Sequence, residues 1–158
     1  MYFFGKFIVV YLFLLILILG QFTVECWASE TRGSGQGVMR RVLWTVAAYH
    51  ITPTAKWGED QANEMIFKPL DITPSSIYFD DRSCHGVTFH YQVVDTVDYF
   101  NEKYQTFPQS LNIKDKTIKV ITTNCQLDGF SEYIRLGDRR LIVTINGVLF
   151  IFNPKLSY

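Results

Sequence analysis

Residues 140–152, RLIVTINGVLFIF, constrain the fold more than any other stretch of this chain. Asn146-Gly147 stands between two runs of β-branched and aromatic residues. The two-residue turn that suits such a hairpin needs positive φ at both central positions, and Asn-Gly supplies it. That turn fixes the register: Ile145 opposite Val148, Val143 opposite Phe150 and Leu141 opposite Phe152. One face of the hairpin is then wholly apolar and must be buried against further structure. A chain carrying this segment is built on an antiparallel sheet.

The preceding text supports that reading. VLWTVAAYHIT (42–52) reads as a strand with Val42, Trp44, Val46 and Ala48 on one face, and SSIYFDD (75–81) puts Ile77 and Phe79 together. GVTFHYQVV (86–94) alternates Val87, Phe89, Tyr91 and Val93 against Thr88, His90, Gln92 and Val94. KTIKVITTNC (116–125) and EYIRL (132–136) complete the strand pattern, and LDIT (70–73) lies between Pro69 and Pro74. Two segments break it. In KWGEDQANEMIF (56–67), Glu59 and Asp60 suit a helix N-terminus while Ala62, Met65 and Ile66 share an apolar side. After Asp95 or Thr96 as a cap, Val97, Phe100 and Tyr104 fall on the buried side of a second helix. The expectation is a mainly β domain over 42–158, an antiparallel barrel of about eight strands with two short helices. Closing the barrel would remove exposed strand edges.

That order resembles small exported bacterial proteins with a lipocalin-like or META-type barrel. The resemblance rests on the Trp44 strand, the helix leading to Phe79-Asp80 before Cys84, the strand ending in Cys125 and the closing NGVLFIF, over roughly residues 42–153. Val42 stands where true lipocalins have the glycine of Gly-x-Trp. The resemblance implies a compact exported barrel and transfers no catalytic residue.

Residues 7–19, FIVVYLFLLILIL, are unbroken apolar sequence behind Lys6. This matches a signal-peptide core, with Ala28 and Cys26 at the −1 and −3 positions of a cut before Ser29. Residues 1–28 are therefore read as a signal peptide. The alternative is an uncleaved N-terminal anchor using residues 2–19, the only expected membrane contact. Residues 29–41 are glycine- and serine-rich and read as a flexible leader. No Asn-x-Ser/Thr sequon occurs, and a periplasmic or secreted bacterial protein fits best, with inner-membrane attachment if the segment is retained.

Cleavage leaves two cysteines, Cys84 and Cys125, and an oxidising compartment favours a disulfide between them. The competing readings of Cys84–His85…His90 are a metal site, a nucleophile and a free thiol. There is no Cys-x-x-Cys or His-x-x-x-His, and His85 and His90 would point to opposite faces of one strand. FDDRS and GDRR (137–140) read as turns before they read as acid–base or anion sites. Lysine plus arginine equals aspartate plus glutamate at 15 each, which gives no basic excess for nucleic acid. No phosphate-binding, dinucleotide or nucleophile-elbow motif is present. The expected protein is thus not an enzyme and takes no cofactor or metal. It is expected to be an exported inhibitor or immunity-type protein, whose partner is a toxin or enzyme acting on the envelope or cell wall. Leu127, Asp128 and Phe130 of QLDGF are its expected contact residues. The alternative is a lipocalin-like carrier of a small apolar ligand.

Overall fold

The computed structural model describes residues 42–155. The expected signal peptide or anchor and the expected leader lie outside the described residues. Along the chain run β1 (Leu43–Ile51), α1 (Glu59–Asn63), β2 (Pro69–Thr73), β3 (Ser76–Phe79), β4 (Arg82–His85), β5 (Phe89–Asp95) and α2 (Thr96–Tyr104). A short 3₁₀ turn (Pro108–Leu111), β6 (Thr117–Thr123), β7 (Glu132–Arg135), β8 (Leu141–Ile145) and β9 (Val148–Lys155) follow. All strands join one antiparallel sheet in the order β4-β3-β2-β1-β9-β8-β7-β6-β5. Two meanders, each interrupted by one helix after its first strand, meet where β1 pairs with β9.

The mainly β class with two helices is as expected, but the strand count is corrected. Among the described residues there are nine strands in a curled half-barrel, with β4 and β5 as outer edges rather than partners closing a barrel. The additional strand is β4, Arg-Ser-Cys-His. It sits at the sheet edge with only Cys84 half-buried, so it has no apolar alternation to betray it. A tight turn, with Asp80 at φ 55°, returns the chain from Phe79 to Arg82.

The C-terminal hairpin adopts the expected register, Ile145↔Val148, Val143↔Phe150 and Leu141↔Phe152, with Asn146 and Gly147 at φ 50° and 83°. All six paired side chains are buried. The opposite face is buried as well, through Ile142 and Leu149, because α2 and the 108–113 segment pack over it. The sheet therefore separates two cores. The concave one gathers Val46, Leu70, Ile77, Phe79, Phe130, Val143, Phe150 and Phe152 with Ala62 and Met65. The other holds Phe100, Tyr104, Ile118, Val120 and Ile134.

Two local expectations are corrected. In β1 the pairing to β9 jumps between Val46 and Ala48, a bulge that leaves Ala47 extra. Side-chain parity flips there, so Tyr49 and Ile51 pack on the core in place of Ala48, which is exposed. In α2 the cap is Asp95, whose carboxylate accepts from the Val97 and Asp98 N–H groups at 2.8 and 3.1 Å. Thr96, Phe100 and Tyr104 form the buried stripe, and Val97 turns outward.

Gly147 is needed for more than its φ. A Cβ there would stand 2.5 Å from Ala55 Cα, because residues 52–56 are drawn across the turn. Thr52 Oγ1 donates to Gly147 O at 2.7 Å and Lys56 N–H to Asn146 O at 2.8 Å. Gly147→Val should therefore lower stability by about 2–3 kcal/mol, combining left-handed strain with a backbone clash. Urea melts of variant and parent measure it; an unchanged midpoint would mean that this turn is not held in the native state.

Candidate functional site

The two edges of the sheet are finished in different ways. Along β4 runs the loop 124–130, fastened at three successive points. The Asn124 side-chain amide donates to Gly86 O at 3.2 Å and its oxygen accepts from Thr88 N–H at 2.9 Å. Cys125 is joined to Cys84 by a disulfide, Cα–Cα 5.7 Å. Asp128 lies 3.9 Å from Arg82 in an exposed, weak ion pair. This loop contains the residues expected to contact a partner, and two of the three pack inward. Phe130 is fully buried, with its ring centroid 5.2 Å from that of Phe79, so the expected surface anchor is corrected to a core residue. Leu127 is half-buried against the same core, and Asp128 alone of the three faces solvent. Sequence shows that QLDGF is a loop, and says nothing about which side of it is packed.

Among the described residues the opposite edge has no such cover. β5 pairs with β6 from Phe89↔Thr123 to Asp95↔Thr117, and Thr96 N–H continues that ladder to Lys116 O at 3.0 Å. Antiparallel ladders alternate, so the even positions 90, 92 and 94 bond to β6 while 89, 91 and 93 turn their N–H and C=O outward. The same odd positions carry Phe89, Tyr91 and Val93, and Tyr91 and Val93 are 71% and 58% exposed. No charge, proline or bulge interrupts Phe89–Val94, the devices that usually protect an edge. The sequence alternation was visible, but the apolar stripe faces an open cleft rather than a filled interior.

That cleft, about 370 Å³, lies between Ile72–Pro74 on one side and the inner faces of β5, β6 and β7 on the other. Tyr91, Ile121 and Tyr133 form its wall, and Lys119 and Arg135 its charged end. Lys119 Nζ is 5.3 Å from the Tyr91 ring centroid, a cation–π contact. Burial pushes the Tyr133 hydroxyl up to about 12, the Arg135 charge opposing the shift.

His85 is held in local contacts. It lies between two serines, Nδ1 3.3 Å from Ser76 Oγ and Nε2 3.2 Å from Ser83 Oγ, with its ring against the edge of Tyr78. Among the described residues no cluster of three His, Cys, Asp or Glu is placed to hold a metal ion. Glu132 receives hydrogen bonds from the Tyr99 hydroxyl and the Lys103 ammonium on the α2 side of the sheet. Burial raises the affinity of the Glu132 carboxyl for a proton, but the bonds from Lys103 and Tyr99 outweigh it and hold the group below its usual range. Burial and the Glu132 bond push the Tyr99 hydroxyl far up. This network ties α2 to β7 and faces away from the cleft. Comparison with protein-family models, curated proteins and solved structures gives no match for this chain.

Proposed function

We propose that this chain is an exported protein that acts by contact rather than catalysis, an inhibitor or immunity-type protein directed at a toxin or enzyme of the cell envelope. The observation that supports this reading is the contrast between edges: β4 is covered and cross-linked, while β5 offers three outward peptide groups beside exposed Tyr91 and Val93. An extended segment of a partner can add to such an edge, gaining main-chain hydrogen bonds and pockets for alternate side chains. A rigid, disulfide-linked scaffold keeps the ordering cost of that association low. The apolar run at 7–19 and the cross-link agree with an oxidising destination.

Val93→Pro tests the edge. It removes one outward N–H and leaves the β6 ladder intact, so folding should survive, as edge prolines do in other sheets. Capture from envelope extract would supply the partner, and titration of the purified pair would give the affinity. A loss of about tenfold or more is expected, the scale of one well-made hydrogen bond and its neighbours, with little change in melting midpoint. Wild-type affinity for the partner in a folded Val93→Pro variant would place the contact elsewhere.

A further inference from the structure

We infer that the cleft beneath β5 binds a single-chain apolar carboxylate, its head on Lys119 and Arg135 and its tail along Ile72, Ile121 and Tyr91. The argument starts from register. Lys119 and Arg135 are direct cross-strand partners on β6 and β7, and both line the same cleft. Like charges directly opposite one another on a sheet face repel and destabilise the pair. Neither cation has an ion-pair partner among the described residues. A second cleft of about 430 Å³ adjoins the same two side chains, and no carboxylate lines either space. The sheet thus holds two adjacent, uncompensated positive charges at the junction of two recesses, where an anion would relieve their repulsion. Arginine and lysine together offer a planar fork and a mobile point charge, a pairing suited to a carboxylate.

The remainder of the first cleft fixes the other end of the ligand. Ile72 and Pro74 face Ile121 and Tyr91 across it, surfaces that favour hydrocarbon. A volume near 370 Å³ falls at the lower end of the range for small-molecule sites, room for one chain rather than a two-chain lipid. The inference stands apart from strand addition at β5, since it concerns the inner face of the sheet and not its outward peptide groups.

Calorimetric titration of the whole exported chain, below micelle-forming concentrations, tests it with three probes: dodecanoate, dodecanol and dodecyl phosphate. Dodecanoate should bind saturably and dodecanol about tenfold more weakly, the scale of one charge-assisted contact. Lys119→Gln with Arg135→Gln should bring dodecanoate down to the level of dodecanol while leaving dodecanol unchanged. Because the substitution also relieves repulsion, the melting midpoint of the free protein should hold or rise, which separates lost binding from lost folding. Equal binding of dodecanoate and dodecanol, undiminished dodecanoate binding by the double variant, or no saturable binding would each overturn the inference. Tighter binding of dodecyl phosphate than dodecanoate would overturn the carboxylate assignment.

Discussion

Phe130→Ala should lower the stability of the domain by about 3–5 kcal/mol, a loss typical of a large aromatic side chain removed from a packed core. The ring is fully buried, 5.2 Å from Phe79 and 6.4 Å from Tyr133, and Phe79 in turn packs against Phe152 at 5.7 Å. These contacts join β3, β7 and β9 across the concave core, so the void would open where three parts of the sheet meet. Its backbone is fixed as well: Phe130 N–H donates to Leu127 O at 3.0 Å, and Thr123 Oγ1 donates to Phe130 O at 2.6 Å. The surroundings therefore have little freedom to close over the space. Leu127→Ala removes a half-buried side chain and should cost less. Denaturant unfolding of both variants measures the difference. Equal, small effects would mean that Phe130 leaves the core in solution and that the loop presents it as a contact residue.

What the sequence reveals and what it withholds divide along a physical line. The hairpin around Asn146-Gly147 was legible to the residue, because a two-residue turn sets register locally and needs nothing from the rest of the chain. The cross-linked cysteines were legible from their number once an export segment was assumed. Properties that depend on position in the sheet were not. Alternation in FHYQVV identifies two faces but cannot say that the strand lies at an edge, with its apolar stripe over a cleft. The β1 bulge arises from pairing with β9, so Ala47 carries no local mark of it. RSCH lacks a strand signature for the same reason that it needs the loop beside it: an edge strand under a cover buries little of its own. Lys119 and Arg135 are unremarkable sixteen positions apart, and only the β6–β7 register makes them neighbours. The cleft belongs to this second class: its walls include β6 and β7, the two strands that QLDGF connects, yet nothing in the loop's own residues marks it.

Replacing both cysteines, Cys84→Ala with Cys125→Ala, should lower stability by about 4 kcal/mol, since the link closes a loop with a sequence separation of 41. That is a large part of the 5–15 kcal/mol typical of a domain, so the variant should sit close to its unfolding threshold. The consequence is local before it is global. The disulfide is the central of three fastenings of loop 124–130 to residues 82–88, and the others are the two hydrogen bonds of the Asn124 side chain with Gly86 and Thr88 and an exposed ion pair with Arg82. Without it the ion pair adds little and the loop can lift, uncovering β4 as a second free edge. Hydrogen exchange should then accelerate in residues 82–85 and 124–131 ahead of the β8–β9 hairpin, which is buried on both faces. Light scattering should also rise with concentration, as two edges of one sheet become open to pairing. Uniform acceleration across all strands, with no separation of the loop from the hairpin, would show that the cross-link acts only on the unfolded chain. The edge contrast that supports strand addition at β5 would then have to rest on the polar contacts of Asn124 alone.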